Sequence, residues 1–250
     1  MEKEKSIELK NICKSFNIGF KKNNGALGQL VSFVSGRETR KELEVLNNIS
    51  FAAYPGQVIG LIGKNGSGKS TLLRVIAGIY QADSGQIKTQ GRVDYLSGLS
   101  NGLSQKLTME ENIYLMGSLM GLGQNDIKQK FDDIVEFSGL KDFLYTKVYQ
   151  FSSGMVTRLA FSVTIHCLNY SKPDILLLDE VYGSGGDIDF EEKAIEKMKE
   201  FIKGGSTVIL ASHNLEIIKN YCDAVLILHN GKIFKNGKPS DVIDEYARMV

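Results

Sequence analysis

At 250 residues, with 42% hydrophobic and 24% charged side chains, the chain has the composition of an ordinary globular protein with room for a sizeable core. A formal net charge of +1 provides no global field to draw it onto nucleic acid or an anionic membrane. Three scattered cysteines, Cys13, Cys167 and Cys222, lack metal-ligand spacing and argue for reduced thiols rather than a disulfide framework. The charged start, Met1-Glu2-Lys3-Glu4-Lys5, has no signal-peptide apolar core. No run approaches the roughly 20 apolar residues that span a bilayer, so a membrane role is expected to come through a partner.

In chain order, Ser6-Ile7-Glu8-Leu9-Lys10-Asn11-Ile12 alternates as a half-buried strand does. Lys14-Ser15-Phe16 follows, and residues 17–42 then break the pattern as an insertion. Within it, 21–25 is loop-like, 26–33 is apolar and of helical length, and 37–42 is a short charged run. Residues 44–53 read as another strand, 54–56 as a turn, and 58–62 as a buried strand. A helix follows over 71–77, and 83–86 turns into further short strands. From Thr108 the texture becomes helical. Thr108-Met109-Glu110-Glu111 offers a cap with acids in the first turn, and 126–137 places Ile127, Phe131, Ile134 and Val135 at helical spacing. A third helix opens at Ser152-Ser153. Beyond Asp174, strands at 175–178, 207–211 and 225–228 alternate with helices at 190–202, 215–221 and 241–249. That alternation implies a parallel sheet covered by helices, hence one α/β domain over 1–250 with a helical subdomain at 105–168. Met109, Met116 and Met120 share one helical face, either as core filling or as part of a groove for a partner's helix.

Four stretches carry chemistry. Gly63-Lys64-Asn65-Gly66-Ser67-Gly68-Lys69-Ser70-Thr71 fits G-x-x-x-x-G-K-[ST] between a strand and a helix, the context the motif requires. Its glycines let successive N–H groups face inward, and the helix N-terminus adds its positive end. Lys69 can reach the β- and γ-phosphates of a nucleoside triphosphate, and the Ser70 hydroxyl can ligate Mg²⁺. Next, Ile175-Leu176-Leu177-Leu178-Asp179-Glu180 is an apolar strand ending in two acids. On the edge that carries the phosphate loop, Asp179 would hold Mg²⁺ and Glu180 would polarise the attacking water. Third, Phe151-Ser152-Ser153-Gly154-Met155 is either a plain N-cap or a second anion-binding helix end. Last, His213 after the strand 207–211 is either structural or placed to contact the γ-phosphate.

These stretches, in this order, resemble the ATP-binding cassette family over essentially the whole chain. The resemblance implies a P-loop NTPase core, with a mainly parallel sheet, an antiparallel β subdomain and an inserted helical subdomain. It assigns the signature to Ser152, Ser153 and Gly154, an adenine-stacking role to Phe16, the metal and base acids to Asp179 and Glu180, and the switch histidine to His213. Gly186-Asp187 falls in the loop that communicates between subunits. Two copies are implied to sandwich each ATP between one phosphate loop and the other copy's signature helix.

The Phe-Ser-Ser-Gly-Met signature, together with Leu107-Thr108-Met109-Glu110-Glu111-Asn112-Ile113 and Gly186-Asp187-Ile188-Asp189-Phe190, is similar to ATPase subunits of bacterial polysaccharide exporters. The implied function is ATP hydrolysis with Mg²⁺, powering export of a lipid-linked O-antigen, capsule or teichoic acid. It would act at the cytoplasmic face of the inner membrane as a homodimer joined to two polytopic permease subunits, with no nucleic-acid partner. In relatives the insertion at 17–42 supplies an amphipathic element near the membrane; the alternative for this stretch is a plain surface loop. The other readings are a subunit of a different transporter, such as a small-solute importer, and a soluble regulatory cassette protein. Two departures stand out. The family's glutamine after the strand near 93–96 has no counterpart at Gly98 or Leu99, and the Tyr182-Gly183-Ser184-Gly185 segment is one residue longer than the family's.

Overall fold

The computed structural model describes residues 4–18, 41–97, 102–168, 173–180 and 188–249. At its centre lies β3 (Val58–Ile62), buried at all five positions, as an apolar run covered on both faces must be. β3 lies between β7 (Thr207–Ala211) and β8 (Ala224–His229), and pairs in parallel with both. With β5 (Val93–Ser97), β6 (Ile175–Asp179) and β9 (Lys232–Gly237) the sheet runs β5-β6-β7-β3-β8-β9. Only β9 is antiparallel within it, closing a hairpin on β8. The turn is Asn230-Gly231, with φ of 47° and 71°, the left-handed pair that two-residue hairpins need. A second sheet, β2-β1-β4, is antiparallel throughout and forms from β1 (Ile7–Ile18), β2 (Lys41–Ala53) and β4 (Ser84–Thr89).

β1 and β2 extend further than their alternation suggests. Register shifts between Leu9 and Ser15 spoil the period-two pattern, while pairing continues to Ile18 opposite Lys41. Positions 17–18 and 41–42, expected inside the insertion, are therefore strand residues. The rest of that insertion lies outside the described residues.

Helix α1 (Lys69–Ile76) packs beneath the antiparallel sheet, where Leu72, Leu73, Val75 and Ile76 join Ile7, Leu9, Leu46 and Ile49 in one apolar cluster. The other face of the large sheet is covered by α5 (Ile188–Lys203), α6 (Leu215–Tyr221) and α7 (Pro239–Met249), which contribute Phe190, Ile217, Ile218 and Val242 to a second cluster. A third cluster belongs to α2 (Met109–Leu119), α3 (Gln124–Ser138) and α4 (Ser153–Leu168), and shares no residue with the cluster under α1. Met109 and Met116 are buried there and Met120 is packed against it, the core-filling alternative.

Candidate nucleotide site

Parallel pairing fixes which side chains meet. β6 ends at Asp179 opposite Ala211 of β7, so Glu180 and His213 leave neighbouring strand ends together. The phosphate loop leaves β3 on the far side of β7, and α1 brings it back towards β6. Gly68 caps α1 with φ of 107°, a conformation that glycine adopts without steric cost. Gly63 is required for another reason, because a Cβ there would overlap the Leu228 carbonyl oxygen of β8.

Lys64, Asn65 and Gly66 form the exposed crest of the loop, whereas Ser67 and Lys69 are buried. The Lys69 ammonium donates to the Gly63 carbonyl at 2.8 Å and the Lys64 carbonyl at 3.4 Å. Burial holds its pKa below the ordinary lysine value, opposed by the nearby charges of Glu180 and Asp179. Ser67 Oγ is buried without a partner among the described residues, a polar atom facing the same loop. The first N–H groups of α1, at Lys69, Ser70 and Thr71, have no partner within the helix. The loop is thus rich in donors and has one buried cation, which suits it to a polyphosphate.

Ser70 Oγ donates to Asp179 Oδ1 at 3.1 Å, and Tyr95 OH donates to Oδ2 of the same carboxylate at 2.8 Å. Burial pushes the Tyr95 phenol above its ordinary value, so it stays a donor at neutral pH. Arg74 Nε donates to the Tyr95 oxygen at 3.2 Å and Arg74 Nη1 to Tyr80 OH at 3.3 Å. The Tyr80 ring meets Phe16 edge-on, with centroids 5.4 Å apart. The strand just before Phe16 is pinned as well: Asp83 accepts from Lys14 Nζ and from the Ser15 N–H, each at 2.6 Å. A hydroxyl and a carboxylate facing a polyphosphate cradle are the hard oxygen donors that suit Mg²⁺, which usually takes few protein ligands beside substrate phosphates.

Glu180 sits with φ of 52° and is hydrogen-bonded through its N–H to the Ala211 carbonyl at 3.0 Å. Its Oε1 lies 2.9 Å from His213 Nε2, both side chains half exposed. Ser212, just before, is buried, and its hydroxyl accepts from the Asn214 N–H. Asn214 then caps α6 through bonds from Glu216 and Ile217.

Ser152, Ser153 and Gly154 lie apart from this group, at the start of α4 on the helical block. Ser152 is exposed and its Oγ accepts from the Met155 N–H at 3.3 Å, so the N-cap alternative holds in the single chain. Its exposure leaves the helix end open to a second molecule. Gly98, Leu99, the 182–185 segment and Gly186-Asp187 lie outside the described residues. Sequence reasoning missed Tyr95, Arg74, Tyr80 and Asp83.

A strand–phosphate loop–helix unit, an acid pair on the adjoining strand end and a separate helical block define an ATP-binding cassette. The chain belongs to the ABC transporter family, whose model matches residues 46–183. It is 35% identical over 249 residues to the teichoic acids export ATP-binding protein of Lactiplantibacillus plantarum, covering 100% of this chain and 66% of that one. It is 39% identical over 236 residues to the O-antigen export system ATP-binding protein of Yersinia enterocolitica, covering 92% and 97%. Across four curated relatives, the chain spans between 36% and 66% of the relative's length. A solved ATP-binding cassette, a dimer in a post-hydrolysis state bound to ADP and Pi, shares the fold with a TM-score of 0.72 at 19% identity, over 93% of this chain and 98% of that one. Among the described residues no helix is long and apolar enough to cross a membrane.

Proposed function

We propose that this chain hydrolyses ATP to power export of a lipid-linked polysaccharide through a separate membrane-spanning subunit. Phe16 stacks on adenine. The N–H groups of Gly63 to Thr71 and the Lys69 ammonium hold the phosphates, and Ser70 with Asp179 holds Mg²⁺. There the ion would supply positive charge to offset the charge that develops on the phosphates. Glu180 orients the attacking water and takes its proton as the γ-phosphorus–oxygen bond to ADP breaks. His213 steadies the Glu180 carboxylate and contacts the γ-phosphate. A second copy brings its Ser152, Ser153 and Gly154 to the same phosphate, and two copies of a polytopic permease anchor the dimer at the cytoplasmic face of the inner membrane.

The observation that carries the chemistry is the Glu180–His213 pair at 2.9 Å beside the Ser70–Asp179 pair at 3.1 Å. Export, rather than import, is supported by the Phe-Ser-Ser-Gly-Met signature and by the names of the relatives from L. plantarum and Y. enterocolitica. In Glu180→Gln, ATP affinity stays at the wild-type level while turnover falls about 10²- to 10⁴-fold, the range a general base contributes. Unchanged hydrolysis removes Glu180 from that role. Export predicts co-purification with a membrane subunit carrying an undecaprenyl-type glycan lipid. Dependence of transport on a periplasmic solute-binding protein refutes it.

A further inference from the structure

A buried carboxylate must have both of its oxygens satisfied, and Asp179 is 5% exposed. Ser70 serves one oxygen. The other is served from β5, whose register sets Tyr95 beside Leu177 and Ser97 beside Asp179. Because side chains alternate along a strand, Tyr95, Leu177 and Asp179 share one face of the sheet. A phenol is long enough to reach from the Leu177 level to the end of β6.

The direction of the bond follows from its neighbour. Arginine has only donors, so Arg74 Nε at 3.2 Å occupies a lone pair of the Tyr95 oxygen, and the phenolic proton is left for Asp179. Donation by a cation also polarises the hydroxyl and strengthens the bond it gives.

We propose that Tyr95, backed by Arg74, is the positioning residue that aims the Asp179 carboxylate at the metal. The inference rests on reading Asp179 as the metal-holding acid. With Ser70 alone, the carboxylate could turn about its Cβ–Cγ bond. Tyr95 fixes Oδ2 and so leaves Oδ1 facing Ser70 and the phosphate cradle. Arg74 also holds Tyr80, whose ring meets Phe16, so one guanidinium on α1 supports both the adenine platform and the metal end of the site. A side chain that only filled space would affect nucleotide binding with and without metal alike. A positioning group affects only the metal-dependent part.

The test compares wild type, Tyr95→Phe and Arg74→Met by the thermal stabilisation that a non-hydrolysable ATP analogue confers, in EDTA and across a Mg²⁺ titration. Tyr95→Phe keeps the ring and its packing. Its stabilisation in EDTA matches wild type, and the Mg²⁺ concentration giving half of the metal-dependent gain rises about tenfold, the lower end for losing a hydrogen bond to a metal-holding carboxylate. Arg74→Met, which leaves the phenol in place, moves the same midpoint by a smaller factor. A Tyr95→Phe midpoint within twofold of wild type overturns the proposal, as does a parallel loss in EDTA. If Tyr95→Phe does not fold, an unmoved Arg74→Met midpoint overturns it equally. A wild type that gains nothing from Mg²⁺ defeats the reading of Asp179 itself, an outcome distinct from failure of Tyr95 alone.

Discussion

Lys69 is a buried ammonium whose hydrogen bonds, among the described residues, go to neutral backbone oxygens at Gly63 and Lys64. Taking a charge out of water without an opposite charge in contact is costly, and burial accordingly depresses its pKa. On the proposed function, a bound polyphosphate would supply that counter-charge. Lys69→Met should therefore weaken ATP binding by at least about tenfold while the ligand-free protein melts no lower than wild type. Calorimetry with and without nucleotide separates the two effects, and a lower melting point without nucleotide defeats the argument. Burial acts on two thiols as well. Burial pushes Cys167 up to about 11 and Cys222 up to about 12 from an ordinary value of 9.0. The folded chain keeps protons there that the unfolded chain releases, so these two groups lower stability as pH rises above about 9. Alkylation of the native protein near pH 8 should mark the half-buried Cys13 and spare the other two until denaturant is added, as mass spectrometry would show.

At the scale of elements, Leu107-Thr108-Met109-Glu110-Glu111-Asn112-Ile113 acts as a structural clamp. Thr108 and Glu111 form a reciprocal capping box on α2. Asn112, fully buried, donates to the carbonyls of Ser104, Leu107 and Thr108 and accepts from the Ser104 N–H. One amide thus ties the entering loop to the first turn of the helix. Asn112→Leu strands several buried polar groups at once, and should destabilise the protein by about 3 kcal/mol in urea unfolding. Nucleotide affinity of the folded fraction should be unchanged, since the side-chain hydrogen bonds described for this stretch go to its own loop and helix and not to the phosphate loop. Legibility at this scale depends on how local the cause is. The phosphate loop, the caps and the apolar strands announce themselves within a few residues. The β8–β9 hairpin carries its own signal in Asn230-Gly231, which reading by hydrophobic runs alone passes over because β9 is mostly exposed. Tyr95 has no such signal. Its partner Asp179 lies 84 positions away and meets it only because β5 pairs with β6. Arg74 likewise looks like any polar helix position until α1 is docked.

For the whole molecule, the decisive feature is that the start of α4 is exposed and its apolar cluster shares no residue with the one under α1, while the proposed function gives both helix ends a phosphate to bind. If two copies meet head to tail, each ATP takes its phosphate loop from one chain and its signature from the other. This arrangement is testable by mixing two dead variants. Lys69→Ala removes the cation from the loop. Gly154→Asp sets a carboxylate in the first turn of α4, where it suits the helix dipole but repels a phosphate. Both variants should fold and neither should turn over ATP. In a mixed dimer one site carries both defects, while the other combines an intact loop with an intact signature. Equal mixing makes about half of the dimers mixed, so turnover should return to about a quarter of wild type if the two sites act independently. If loop and signature instead serve the same ATP within one chain, every site retains a defect and mixing restores nothing, even with mixed dimers shown to form by tagged pull-down.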